Sequence, residues 1–104
     1  MGLTTVSVCY PAGAKIDMDY YLKHHMPLVQ AKWAQYGLKS WKVAQYTNEG
    51  AVYAVQAWLE FESSEQWAKA ESSPEGKEIF ENIPKFSDKA PSKLIGVVAG
   101  SQSW

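Results

Sequence analysis

The residues of this chain best suited to chemistry crowd into one stretch, Asp17-Met18-Asp19-Tyr20-Tyr21-Leu22-Lys23-His24-His25-Met26-Pro27-Leu28-Val29, which carries both histidines. An imidazole changes charge near neutral pH, and a phenol within reach can share or donate a proton, so His25 with Tyr21 four residues before it is the candidate acid–base pair. The competing reading of His25 is structural: an imidazole bonded to a backbone carbonyl that Pro27 sets free. His24 lies about a quarter-turn away on a regular helix, toward Tyr20 and solvent, and reads as a surface residue. Adjacent histidines on a helix diverge, unlike an i, i+4 pair, and the chain has a single cysteine, so no metal site is expected. No nucleophile elbow, phosphate-binding glycine loop or dinucleotide fingerprint is present. Asp88 reads as a turn former rather than a general base.

The elements that must hold these residues follow from hydrophobic periodicity. Leu3 to Tyr10 alternates, with Val6, Val8 and Tyr10 on one face and Thr5, Ser7 and Cys9 on the other, which predicts a strand. Asp17 is placed to cap a helix whose stripe runs Met18, Leu22, His25, Val29, Trp33 and Tyr36 and whose C-terminus is Gly37. Pro27 lacks the N–H that would bond the carbonyl of Lys23, so the helix is expected to kink or restart beside the histidines. Leu38–Thr47 and Val52–Phe61 alternate around Asn48-Glu49-Gly50 and predict an antiparallel hairpin. Ser63 with Gln66 fits a capping box, and Ser73-Pro74 a second helix start with Ile79, Phe80 and Ile83 buried. A loop from Pro84 to Pro91 leads to a last strand, Leu94–Ala99.

The order β-α-β-β-α-β predicts an α+β, ferredoxin-like domain: a four-stranded antiparallel sheet with both helices on one face. The other face would be uncovered, although Trp41, Val43, Tyr53, Val55, Leu59 and Trp58 put large apolar groups on the hairpin. An open apolar face is an interface by default, so a homodimer packed sheet to sheet is expected. Trp41, Trp58 and Tyr46 are candidates for the walls of an aromatic binding cavity, with plain core packing as the alternative.

Composition narrows the partners. The length of 104 residues fits one domain spanning 1–104. Five Trp, six Tyr and three Phe in so short a chain point to a core, an interface or a flat-ligand pocket. Ten lysines, no arginine and a formal net charge of −1 argue against nucleic acid as a partner. No stretch approaches the ~20 apolar residues of a membrane span. The reading is a cytoplasmic protein without membrane partners, in which Cys9, set in an apolar strand, is a buried and inert thiol.

With these residues laid out, the chain resembles the EthD family, named for ethyl tert-butyl ether degradation, of the dimeric α+β barrel superfamily. Tyr20-Tyr21-Leu22-Lys23-His24-His25-Met26-Pro27-Leu28-Val29 is similar to the family's Tyr-Tyr-x-x-x-His-x-Pro-Leu run, which sets the family histidine on His25. Ser73-Pro74-Glu75-Gly76, followed by Asn82-Ile83-Pro84-Lys85-Phe86-Ser87-Asp88-Lys89-Ala90-Pro91, resembles the family's small helix and Asn-Phe-Thr-Asp-x-x-Pro loop. The chain departs from the pattern at Lys85, Ser87 and Asn82, the last standing where an acidic residue is common. The resemblance implies the dimeric barrel fold and, in each subunit, a small pocket between sheet and helices. It implies a small apolar or aromatic molecule as ligand, with His25 and Tyr21 as acid–base or orienting groups and Trp41, Trp58, Tyr46 and Phe86 as binding residues. No cofactor is expected, and the chemistry would be of oxidoreductase or lyase type in a catabolic or biosynthetic pathway. A non-catalytic ligand-binding or accessory subunit is the alternative, and haem binding, known among barrel relatives, is a third reading.

Overall fold

A computed structural model describes residues 3–104. The first strand, β1 (Thr4–Pro11), leads through a turn to α1 (Met18–Tyr20) and a π-helical turn at Tyr21–His25. The path then runs directly into α2 (Met26–Trp33). After a 3-10 turn at Ala34–Tyr36 come β2 (Leu38–Gln45) and β3 (Tyr53–Phe61), then α3 (Ser64–Ser72), α4 (Pro74–Asn82) and β4 (Ser92–Val97). All strand pairs are antiparallel, in the order β2-β3-β1-β4. The expected ferredoxin-like topology of the dimeric α+β barrel fold is therefore the one observed.

Local signals place the element ends. Asp17 Oδ1 accepts the N–H of Tyr20 and caps α1. Gly37 sits at φ +90°, the left-handed C-cap geometry that glycine adopts without strain. Ser73 ends α3 and starts α4: its hydroxyl accepts the N–H of Gly76 at 2.9 Å while Pro74 fills the first turn, where no N–H is needed. The capping box at α3 is only half made. Ser63 Oγ accepts the N–H of Gln66, but the Gln66 side chain does not return the bond, and its Oε1 is buried without a partner.

Three expectations about the elements are corrected. Tyr21, rather than Leu22, joins the buried stripe: Tyr21 is 1% exposed and Leu22 42%. The π turn causes this, because its wider winding lines up residues four apart and advances the phase that a 3.6-residue period assigns. The connection between β2 and β3 spans residues 46–52, longer than the three-residue turn expected. The open sheet face is also less apolar than expected. Trp41 pairs with Leu59 and lies on the helix side, as do Val43 and Val55, whereas Lys42, opposite Trp58, lies on the open side.

The core fills the space between sheet and helices, where Val6, Val55, Leu59, Met26, Val29 and Ile79 are all buried. Its aromatic residues form two groups. At one end Trp33 meets Phe61, Trp67 and Phe80 edge-on at centroid distances of 5.4–5.8 Å and donates its indole N–H to Ala70 O at 3.1 Å. At the other end Tyr10, Tyr21 and Phe86 gather around His25. Burying residues of this size, at roughly 25 cal/mol per Å² of apolar surface, is what holds the short helices on the sheet.

Candidate functional site

The site is built by the π turn. A proline at position 27 cannot bond back to Lys23, and the chain responds with an i, i+5 bond from Met26 N–H to Tyr21 O instead of breaking the helix. The kink or restart expected from Pro27 is thus a widened turn within one continuous helical path. Tyr21 and His25 become near-superposed, their rings 18° from parallel with centroids 5.7 Å apart. Tyr20 and His24 form an outer pair with centroids 5.0 Å apart and rings tilted by 36°, with His24 exposed as expected.

His25 is 4% exposed. Its Nδ1 lies 2.9 Å from Asn82 Oδ1 at the end of α4, and Asn82 Nδ2 donates to the Tyr20 hydroxyl at 3.1 Å. The backbone carbonyl considered as its partner is replaced by this carboxamide. An acceptor oxygen on Nδ1 requires the proton there, so Nε2 is left as an unprotonated acceptor. Burial lowers the His25 pKa from its ordinary value, the bond to Asn82 opposing the shift in part. The imidazole is neutral at pH 7.

His25, Tyr21 and Tyr10 line one cavity whose other walls include Met26, Val29 and Leu59. Desolvation raises both phenol pKa values well above the ordinary range, and for Tyr10 the neighbouring Tyr21 adds to it. Both hydroxyls therefore stay protonated and can only donate to a developing negative charge. The cavity itself is narrow, about 20 Å³. That is room for one water.

Phe86 stands against the site. Its ring lies 4.5 Å from His25 and 4.7 Å from Tyr21. It also lines an open groove on the surface with Ile16, Asp17 and Asp88. The loop carrying it is pinned to the start of the first helix, because Asp17 N–H donates to Phe86 O at 2.8 Å and Lys15 N–H to Asp88 Oδ1 at 2.7 Å. Asp88 thus ties its loop to a segment 73 positions away, rather than closing the local turn expected of it.

The three other candidate wall residues lie elsewhere. Trp58 and Tyr46 are on the open sheet face, where Lys42 Nζ sits 5.0 Å from the Trp58 ring centroid and the Tyr46 hydroxyl donates to Gln56 at 2.6 Å. Neither can reach His25 through the sheet. Trp41 is on the helix side but at the β2 edge, donating its indole N–H to Gln30 Oε1 at 3.0 Å, outside the cavity lining. Sequence reasoning missed Tyr10 and Asn82. Tyr10 shares a strand face with Val6 and Val8, a signal that was readable. Asn82 was noted only as a departure from a pattern, since nothing local pairs it with a residue 57 positions away. Cys9 is buried and its thiol pKa is raised by desolvation, as expected of an inert thiol. Among the described residues no group of three His, Cys, Asp or Glu side chains could hold a metal ion, and no helix is long and apolar enough to cross a membrane.

No family model and no curated protein matches the chain. Solved structures do. An EthD-like protein from Ralstonia eutropha JMP134 is 28% identical, with a TM-score of 0.84 over 99% of this chain and 97% of that one. An EthD family protein from Bacillus halodurans C-125 is 21% identical, with a TM-score of 0.71 over 92% of this chain and 97% of that one. A dimeric ferredoxin-like protein from Thermobifida fusca YX shares the fold at 9% identity, with a TM-score of 0.64 over 94% and 92% of the two chains. The resemblance read from the Tyr-Tyr-x-x-x-His-x-Pro-Leu run and the Phe86 loop is borne out along the whole chain.

Proposed function

We propose that this EthD-like chain is an acid–base catalyst for a small apolar or aromatic carbonyl compound, with His25 as the base and Tyr21 as the hydrogen-bond donor. One observation carries the reading: a buried, neutral imidazole whose Nδ1 is already bonded stands beside a protonated phenol at the wall of an apolar cavity. In the step this suits, Nε2 takes a proton from carbon next to the carbonyl. The electron pair moves to the carbonyl oxygen, and the Tyr21 O–H, with Tyr10 near it, stabilises the resulting enolate. The imidazolium then returns the proton to a different carbon, an isomerisation, or to a departing hydroxyl that leaves as water, an elimination. Neither outcome calls on a cofactor.

The test is hydrogen–deuterium exchange at the acidic benzylic carbon of an aromatic ketone such as β-tetralone. Wild type should catalyse it, and His25→Gln should lower the rate by 10²-fold or more, the usual worth of a positioned general base. Equal exchange by wild type and variant sinks the assignment.

One observation favours the second reading, a ligand-holding or accessory subunit without turnover: the narrow cavity admits only a water unless a lining residue such as Phe80 or Ile83 moves. Under that reading His25→Gln lowers the melting temperature and leaves no activity to lose. We also propose that the chain forms a homodimer through the open sheet face. Support comes from Leu94, which lies on the open face of β4 opposite Ser7 and is 54% exposed, and from the dimeric Thermobifida fusca protein of the same fold. Trp58 and Tyr46 would then face the partner subunit rather than a ligand. Native mass spectrometry reads both the subunit count and the mass of any co-purified ligand; a stable monomer rejects the dimer.

A further inference from the structure

The polar side chains behind His25 form a chain with a direction. Tyr20 contributes a hydroxyl that accepts from Asn82 Nδ2 and anchors the carboxamide beside the imidazole. With Nδ2 engaged, Oδ1 is the atom that meets His25 Nδ1 at 2.9 Å. A carboxamide turned the other way would present N–H to Nδ1, move the ring proton to Nε2 and remove the acceptor from the cavity side. The arrangement in the structure is the one with Oδ1 on the ring and Nδ2 on the Tyr20 phenol, and loss of that anchor would free the carboxamide to turn. The residues come from α1, the π turn and the end of α4, with His25 and Asn82 57 positions apart in sequence.

We propose that Asn82 is the positioning residue of the site: held by Tyr20, it keeps the His25 proton on Nδ1 and presents an unprotonated Nε2 to the cavity. The role in catalysis rests on the reading of His25 as a base; the placement of the proton does not. An amide also differs from a carboxylate in a way that suits a returning proton. It orients the ring but contributes no negative charge to hold the imidazolium, so the proton that Nε2 collects is readily given back. The groups facing the ring agree with this. Tyr21 from its own turn and Tyr10 from β1 are neutral phenols, and Phe86 covers another side. His24 points outward against Tyr20, and on α4 Glu78 and Glu81 are exposed, with Glu78 paired to Lys32 at 3.3 Å.

Nitrogen-15 NMR of the imidazole measures the proton's position without any substrate. In a His24→Gln background a single histidine is observed, and its Nδ1 should resonate as a protonated nitrogen and its Nε2 as an unprotonated one. Asn82→Ala should move the population toward the Nε2–H form that free histidine prefers, and Tyr20→Phe, a smaller change for the fold, should give a mixture of the two. Asn82→Asp should keep the tautomer and raise the His25 midpoint by about one to two pH units, as a carboxylate beside an imidazole does. A wild-type ring protonated on Nε2, or a tautomer indifferent to both Asn82→Ala and Tyr20→Phe, overturns the proposal. If Asn82→Ala does not fold, Tyr20→Phe and Asn82→Asp still decide it. A locked tautomer in a protein whose His25→Gln variant loses no activity would uphold the positioning and reject only the base.

Discussion

Tyr21 and His25, the two ends of the π turn, stand with their rings 18° from parallel and their centroids 5.7 Å apart. Tyr21 fills a fully buried position with its ring, while no hydrogen bond to its hydroxyl is found among the described residues. Ring and hydroxyl therefore have separable roles. Tyr21→Phe should leave the unfolding free energy within about 1 kcal/mol of wild type, since no intramolecular hydrogen bond is lost. If the hydroxyl steadies an oxyanion, the same variant should lose roughly 10²-fold in kcat. Urea denaturation and the deuterium-exchange assay, run on one preparation, check both halves.

Burial lowers the His25 pKa below its ordinary value of about 6.5. The unfolded chain therefore binds a proton at a pH where the folded chain does not. Stability from this group is complete above the unfolded pKa. It declines as pH falls below about 6.5 and stops declining only when the folded imidazole is itself protonated. The slope in that window should not exceed about 1.4 kcal/mol per pH unit for one proton. Denaturation midpoints measured from pH 7.5 downward (about one point per half unit) should show this decline in wild type and lose it in His25→Gln. Catalysis by the neutral ring should fall in the same direction, with a plateau at neutral pH.

What could be read from the sequence was local. Asp17, Ser73-Pro74 and Gly37 mark their element ends because each acts on backbone within three residues. His25 was legible as the centre because the Pro27 lesion lies beside it. The turn that Pro27 induces was not: the shift from Leu22 to Tyr21 in the buried stripe depends on whether the helix breaks or widens, and periodicity assumes neither. The misplacement of Trp58 and Tyr46 has a simpler cause. Strand parity puts Trp58 opposite to Leu59, but only the pairing with β1 and β2 shows which of those faces meets the helices. Asn82 needed the tertiary fold.

Phe86 packs its ring against His25 and Tyr21 and also lines the open groove along Lys15, Ile16 and Asp88. Trimming it should open a path. Phe86→Leu keeps an apolar plug and should cost about 1–2 kcal/mol, whereas Phe86→Ala should cost about 3–5 kcal/mol as a large-to-small core change. Diethyl pyrocarbonate, which acylates unprotonated imidazole nitrogen, should modify His25 several times faster in Phe86→Leu than in wild type, with His24 as the exposed comparison in each sample. Equal rates at His25 would mean that entry runs elsewhere.

Gln66 offers a stability gain of a kind that contact lists conceal. Its side chain packs directly over Gly37, where a Cβ would collide with Gln66 Oε1, and that oxygen is buried with no hydrogen-bond partner. The chain thus carries the desolvation cost of a polar atom, about 1–3 kcal/mol, with no bond to offset it. Gln66→Met retains the length and helix propensity of the side chain and removes the oxygen, while the Ser63 cap, which accepts the backbone N–H of residue 66, is untouched. The variant should be more stable than wild type by about 1 kcal/mol. Gly37→Ala should behave in the opposite sense, because alanine is strained at φ +90° and its Cβ would meet the same side chain. The double variant Gly37→Ala/Gln66→Met separates those causes. If collision dominates, the flexible methionine yields and part of the loss is recovered; if backbone strain dominates, the two effects simply add in urea midpoints.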